Sequence, residues 1–246
     1  MKLYKYRDFS KPCDADFKRL ATVLNRRSFW CARPDTLNDP VELAWTCDYS
    51  ATAETIDLLT ELLIRVVGRN REEARHRAAH AAEFGCLEAL AQPVIAGMIQ
   101  QCRNEIGLVC FGTSPDNDIL WKRYGGCGAG VCIELDVPEN LLGTTLFRVQ
   151  YSDAKRIHID QLMHAFIDRN RAKEVYTLAL LLKPSSWADE AEIRFVSRRQ
   201  AVAVMIEGSL IARLILGDGL SARVRARIQE IAAAHSVMLQ SGANMA

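Results

Sequence analysis

The chain has 246 residues, 49% of them hydrophobic and 25% charged, with a formal net charge of +1. That length and apolar share suffice for a full core, in one large domain or two small ones, and the charged share is ordinary for a soluble globular protein. The near-zero net charge excludes a global field that would draw in nucleic acid or an anionic membrane, and leaves only local patches for that purpose.

The eight cysteines (Cys13, Cys31, Cys47, Cys86, Cys102, Cys110, Cys127 and Cys132) include no C-x-x-C pair and no Cys/His quartet at zinc spacing. Several lie in apolar runs, such as Cys110 in Leu-Val-Cys-Phe and Cys132 in Val-Cys-Ile, and read as buried reduced thiols. The opening Met-Lys-Leu-Tyr-Lys-Tyr-Arg lacks the apolar stretch of a secretory signal, and no apolar run is long enough to span a bilayer. A cytoplasmic protein is expected.

Leu3 to Arg7 alternates large and polar groups and is expected to form a first strand. Asp14 or Asp16 can cap a helix that runs through Arg26. Ser28 to Ala32 reads as a second strand, and Leu37-Asn-Asp-Pro-Val-Glu42 as an ordered loop, because Pro40 keeps its predecessor out of helix. Residues 51–105 are expected to be a helical insert or lid. Ile56, Leu59, Leu63 and Val66 make an apolar stripe that ends at Gly68, Asn70 with Glu73 fits a capping box, and Pro93 suits the first turn of a third helix. His76 and His80 have the four-residue spacing of a metal pair. Arg75 and Arg77 beside them would oppose a cation, so a solvated helix face is the better reading.

Gly107 to Phe111 resumes the sheet, and Asp116 to Tyr124 can form a short helix carrying Trp121 and Tyr124. The glycine-rich segment Gly125 to Gly130 reads as a flexible turn. It lacks the Lys-Ser/Thr of a phosphate-binding loop and leads into a strand, Val131 to Leu135, where a dinucleotide-binding turn would open a helix. Leu146 to Tyr151 alternates as a strand, and Ile157 to Leu182 follows a helical pattern that Pro184 ends. His158 and His164 on it read as surface or interhelix polar groups. Apolar runs at Ala201 to Ile206 and Leu210 to Leu216 precede a helix capped by Ser221 that bears Arg223, Arg225 and Arg227. The expected organisation is one α+β domain over 1–240, with a mixed or antiparallel sheet, the helical insert at 51–105, and a disordered tail at 241–246.

The chain is organised around Trp187 to Val196, Trp-Ala-Asp-Glu-Ala-Glu-Ile-Arg-Phe-Val. Read as a strand, it puts Glu190, Glu192 and Arg194 on one face and Ala191, Ile193 and Phe195 on the other. Two carboxylates about 6.5–7 Å apart beside an arginine can divide the labour in a site that stabilises positive charge. The same pattern also describes the solvated side of a half-buried strand, or an ion-pair lattice in which Arg194 neutralises Glu192.

A series of motifs is more specific than any one of them. Lys5-Tyr6-Arg7 comes first, then Asn38-Asp39-Pro40-x-Glu42, Cys110-Phe111 and Trp121-x-x-Tyr124. Gly130-Val-Cys-Ile-Glu134, Val149-x-Tyr151, Lys183 and Trp187-x-x-Glu190-x-Glu192-x-Arg194 follow. The series resembles the bacterial domain-of-unknown-function 2971 family from the N-terminus to about Gly217. Gly112 departs from it, since relatives more often carry a serine after the Cys-Phe pair. That family brings no established activity.

A second resemblance is to ADP-ribosyltransferases of the arginine–serine–glutamate type. Arg7, Thr113-Ser114 and Glu190-x-Glu192 occur here in the order of that family's motifs. The resemblance implies an ADP-ribosyltransferase-like fold and NAD as substrate. Glu192 would hold the ribose, Glu190 would orient or deprotonate an acceptor, and Arg7 would pair with the diphosphate. Thr113 or Ser114 would support the glutamate, and Trp121, Tyr124 or Trp187 would stack on nicotinamide or adenine. The acceptor would be a macromolecule, protein or nucleic acid, in a setting such as phage defence or stress response.

Two other classes stay open. Asp39, Glu42, Glu190 and Glu192 could together hold Mg²⁺ in a nuclease or phosphohydrolase. A non-catalytic module could instead bind a nucleotide or partner through the aromatics and the C-terminal arginines.

Overall fold

The computed structural model describes residues 1–39, 46–153, 156–168 and 180–242, and the protein is α+β. The described elements begin with β1 (Lys2–Asp8), α1 (Asp14–Arg26), β2 (Ser28–Cys31), β3 (Thr46–Asp48), α2 (Thr55–Val67), α3 (Arg71–Glu83) and α4 (Leu87–Glu105). Next come β4 (Gly107–Phe111), α5 (Asp118–Tyr124), β5 (Gly130–Asp136), β6 (Leu146–Arg148), β7 (Gln150–Tyr151), β8 (Arg156–His158) and α6 (Ile159–Ile167). The last are β9 (Leu182–Lys183), β10 (Ile193–Ser197), β11 (Val202–Met205), β12 (Leu210–Leu216), α7 (Ala222–Ala234) and β13 (Met238–Ser241). No described helix is long and apolar enough to cross a membrane.

Two compact units emerge. Met1–Arg33, Ile106–Val149 and Ser186–Ala246 make the first, and Pro34–Glu105 with Gln150–Ser185 the second. The helical stretch expected at 51–105 therefore belongs to a larger body that also takes in the segment from 150 to 185. The strand expected over Leu146 to Tyr151 is two strands, divided at Val149, where the first unit ends and the second resumes. Val149 turns its N–H to the carbonyl of Glu192 at 3.0 Å, outside either ladder.

In the first unit, β1 pairs antiparallel with β5, β5 with β12, and β13 runs parallel to β12 at the edge. A second sheet has the order β4-β10-β6. Tyr4 and Gly112 exchange backbone hydrogen bonds of 3.0 and 2.8 Å, which join β1 to the end of β4; Ala32 and Leu108 join the β2–β11 ribbon to its start. Alternation along β1 sends Tyr4 and Tyr6 to a cluster with Leu120, Trp121, Cys132 and Ile215. Leu3 goes to the main core with Val131, Ile133 and Leu135. Helix α1 lays Phe17, Leu20, Val23 and Leu24, spaced three and four apart, on that core. Its cap is Cys13 rather than Asp14 or Asp16. Asp16 lies inside the first turn, and its carboxylate reaches back to accept the Cys13 N–H at 3.0 Å.

Glu134 on β5 is 1% exposed and would be costly without partners. Lys2 on β1 donates to one of its oxygens at 2.5 Å and Arg213 on β12 to the other at 2.6 Å. Burial alone would raise its carboxyl, but the hydrogen bonds from Lys2 and Arg213 outweigh burial and hold it below the ordinary carboxylate range. The segment before β5, expected to be flexible, is tightly fitted. Gly126 has φ +61°, a side chain there would meet the Asp8 carboxylate at 2.2 Å, and one on Gly130 would meet the Arg7 carbonyl at 2.2 Å.

In the second unit, β3 pairs parallel with β8 and β7 with β9. Helices α2, α3, α4 and α6 share a core of Leu59, Leu62, Leu63, Ala74, Ala78, Leu87, Leu162 and Met163. The expected punctuation appears: Gly68 ends α2 at φ 71°, and the Asn70 side chain accepts the Glu73 N–H at 2.8 Å. Pro93 does not open a helix. It lies well inside α4, where its missing N–H removes one backbone bond while the helix continues past it. Of the helix expected over Ile157 to Leu182, α6 accounts for Ile159–Ile167, and residues 169–179 lie outside the described residues.

Candidate functional site

Strands β4 and β10 build the site. They pair with Ile193 opposite Phe111 and Arg194 opposite Cys110. Ile193, Phe111 and Val109 enter the apolar core, so period-two alternation turns Cys110 and Arg194 to the other face. Arg194 is 1% exposed, Glu192 6% and Glu190 2%. Charges this deeply buried must be paired. Arg194 donates from Nε to one oxygen of Glu192 at 2.8 Å, with a longer 3.5 Å approach of its terminal nitrogen to the other.

The expected strand over Trp187 to Glu192 is corrected by the backbone. Ser185–Glu190 is a 3-10 turn, and Ala191 adopts φ 43°, a left-handed conformation that interrupts the alternation. Glu190 therefore reaches its place from a turn. One of its oxygens accepts hydrogen bonds from the Arg123 guanidinium at 2.8 Å and the Tyr124 hydroxyl at 2.9 Å. Both donors come from the end of α5, which starts at the Asn117 cap. Asn117 also donates its side-chain amide to the Asp189 carbonyl at 2.7 Å, and the Arg123 guanidinium lies 4.4 Å from the centre of the Trp187 ring. The turn that carries Glu190 is thus clipped to α5 at both ends. Burial first, and the neighbouring Glu190 carboxylate second, push the Tyr124 hydroxyl far up, so Tyr124 acts here as a proton-bearing donor.

Lys5 approaches from β1. Its ammonium donates to the Cys110 carbonyl at 2.9 Å and lies 6.0 Å from the centre of the Phe111 ring. Burial lowers its pKa, partly opposed by Cys110 and Glu192. The Cys110 thiol is pushed well up, chiefly by burial and then by Glu192.

Of the residues singled out in the sequence, Glu190, Glu192, Arg194, Tyr124 and Trp187 converge. Trp121 does not join them. It is 5% exposed, meets Tyr6 edge-on at 5.2 Å, and spends its indole N–H on the Pro115 carbonyl at 2.8 Å, so it serves the core and offers no stacking face. Ser114 uses its hydroxyl to accept the Asp116 N–H at 3.1 Å, and its carbonyl accepts the Tyr6 hydroxyl at 2.6 Å. Neither Thr113 nor Ser114 hydrogen-bonds Glu192. Arg7 shares the inner face of β1 with Lys5, but its surroundings are Asp16, Arg19 and Leu20 of α1. No hydrogen bond or ion pair joins it to either glutamate.

Lys5, Cys110 and Arg123 were not legible as site residues. A signal did exist for Lys5, since alternation puts it on the same face as Leu3, which enters the main core. For the metal reading, Asp39 belongs to the second unit and Glu42 lies outside the described residues. Among the described residues no group of three or more His, Cys, Asp or Glu is placed to hold a metal.

In the second unit, Ser50, His158 and Asp160 have the composition of a nucleophilic triad. The Ser50 hydroxyl lies 3.2 Å from Nε2 of His158, and the Asp160 carboxylate 3.5 Å from Nδ1. Nδ1, however, accepts the backbone N–H of Asp160 at 3.1 Å as the cap of α6. In the neutral ring the proton then sits on Nε2, which can donate to Ser50 and cannot take its proton. The arrangement caps a helix.

Comparison with protein-family models, with curated proteins and with solved structures gave no match.

Proposed function

We propose that the first unit carries a glycosyl-transfer site of the ADP-ribosyltransferase type, with NAD as substrate and a macromolecule, protein or nucleic acid, as acceptor. The observation that carries this reading is the burial of two glutamates, Glu190 with hydrogen bonds from Arg123 and Tyr124 and Glu192 with one from Arg194. Breaking the bond between nicotinamide and ribose builds positive charge on the sugar, and a carboxylate already fixed in place stabilises that charge as it forms. Glu192 takes this part, oriented by Arg194. Glu190, held by Arg123 and Tyr124, orients the acceptor or receives its proton. Trp187, whose ring lies 4.4 Å from the Arg123 guanidinium, is the aromatic side chain that this reading assigns to the nicotinamide or adenine ring. No hydrogen bond or ion pair joins Arg7 to the glutamates, and it is assigned no part in this chemistry. A setting in phage defence or stress response belongs to the same proposal.

The experiment is nicotinamide release from NAD by the purified protein, wild type beside Glu192→Gln, in magnesium-containing and in chelated buffer. Release that collapses in Glu192→Gln whatever the metal is the expected result. Equal release by both proteins, or release that needs magnesium, overturns it. A titration of NAD against the protein distinguishes an enzyme waiting for its acceptor, which binds NAD without turnover, from one that does not bind it.

A further inference from the structure

The ribbon of β2 and β11 belongs to the first unit, and one of its faces serves no core. Phe29, Cys31 and Val204 enter the main core, so alternation turns Trp30, Ala203 and Met205 to the opposite face. Trp30 is 55% exposed and Met205 63%. Ala203 stands directly across from Trp30 and is too small to cover its ring, with Met205 on the diagonal. Charge gathers at the two ends of this face. Arg26 and Arg27 precede β2, Arg33 follows it, and Arg198 and Arg199 precede β11; all five are exposed. The strands are antiparallel, with Ser28 opposite Met205 and Cys31 opposite Val202, so two of these arginines stand at one end and three at the other. Segments 26–33 and 198–205 hold these five arginines and no acidic residue, in a chain whose net charge is +1. Arg26, Arg27, Arg198 and Arg199 make no ion pair among the described residues, and Arg27 donates to the neutral Ser209 carbonyl at 3.4 Å. Glu207, exposed two positions past Met205, bounds the patch at that end. An exposed ring set between arginines complements a ligand that alternates flat rings with negative charges, which is the chemistry of nucleic acid. The bases of a duplex stack on one another, whereas an unpaired strand leaves them free to stack on an aromatic side chain. The planar arginine fork suits phosphate, and an anionic membrane would call for a broader apolar face than one tryptophan and one methionine.

We propose that the outer face of the β2–β11 ribbon binds single-stranded nucleic acid, with one base stacked on Trp30 and the neighbouring phosphates held by the arginines at the two ends. The site stands apart from the glycosyl-transfer reading and holds whether or not Glu190 and Glu192 act on NAD. Recognition through one ring and backbone charges carries little sequence preference, and it weakens as salt rises.

The test is fluorescence anisotropy of labelled oligothymidylate and oligouridylate, each of about twelve nucleotides, titrated with the full chain at several salt concentrations. Wild type is compared with Trp30→Ala, Trp30→Phe and the double variant Arg198→Gln, Arg199→Gln. The three positions are exposed, so these changes leave the core intact. Loss of one stacked base predicts at least about fivefold weaker binding in Trp30→Ala, with Trp30→Phe recovering part of it. The double variant is expected to bind more weakly and to lower the slope of log affinity against log salt by about 0.7 per arginine removed. Binding of either oligonucleotide with these losses supports the site, and the tighter of the two assigns DNA or RNA. No binding at low salt, unchanged affinity in Trp30→Ala or in the double variant, or equal affinity for a duplex of the same length overturns it. Phosphatidylserine vesicles and polyglutamate are titrated in parallel. Tighter binding of either gives the face to a membrane or to an acidic protein and likewise overturns the proposal.

Discussion

Arg194 and Glu192, two positions apart on one face, form an ion pair of 2.8 Å in which neither side chain is more than 5% exposed. Removing one member leaves the other charged in the interior. Arg194→Met is expected to destabilise the protein by about 3–5 kcal/mol, read as a shift in the urea midpoint at neutral pH. Glu192→Gln, which keeps the shape and an acceptor oxygen, is expected to cost less than Arg194→Met. The reverse order would show that the pair does not set the local stability.

Glu134 makes stability sensitive to acid. Its carboxyl is depressed in the folded state, so its contribution is complete above the ordinary value of 4.5 and is lost as pH falls through the depressed value. Urea midpoints measured from pH 7 down to about pH 3 are expected to fall more steeply for wild type than for Glu134→Gln. Parallel profiles would remove Glu134 from the account of acid sensitivity.

Lys5 acts in the opposite window. Its folded value is lowered, so between that value and the ordinary 10.5 the unfolded chain binds more protons than the folded one. Stability contributed through Lys5 therefore rises with pH across this window. The difference in urea midpoint between wild type and Lys5→Met is expected to change with pH on the alkaline side in wild type's favour. A constant difference would show that the ammonium is not desolvated in the fold.

How much of this was legible in the sequence differs by element. The strand β1 and the helices around Gly68 and Asn70 follow from local alternation and local caps, and they stand where those signals put them. Trp187 to Glu192 could not be read in the same way. Its alternation of residue types suits a strand, but Ala191 at φ 43° breaks it, and an alanine gives no warning of a left-handed conformation. The two glutamates were legible as a pair. Their partners were not, because Arg123 and Tyr124 lie 67 and 66 positions from Glu190, and Lys5 lies 105 from Cys110. Pairings at such distances are set by the packing of β1, β4 and α5, which no local pattern encodes.

Cysteine reactivity gives a separate check on the core. Cys13, Cys86 and Cys127 are exposed, whereas burial pushes Cys31 up to about 11 and Cys47 to about 12, and raises Cys110 and Cys132 further. Brief iodoacetamide treatment at about pH 8, below the usual thiol value, is expected to modify Cys13, Cys86 and Cys127 and to spare Cys31, Cys47, Cys110 and Cys132 until the chain unfolds. Early modification of Cys110 would mean that its thiol is not desolvated in the fold.

The three strands that meet at Glu134 bring their charges from remote parts of the chain, with Lys2 132 positions away and Arg213 79. Until all three segments have met, this carboxylate is better left in water, which opposes the gain from burying the apolar residues of β5. Strand β5 is thus expected to close most favourably once β1 and β12 both stand beside it. The cost is speed, since contacts this remote in sequence are slow to find.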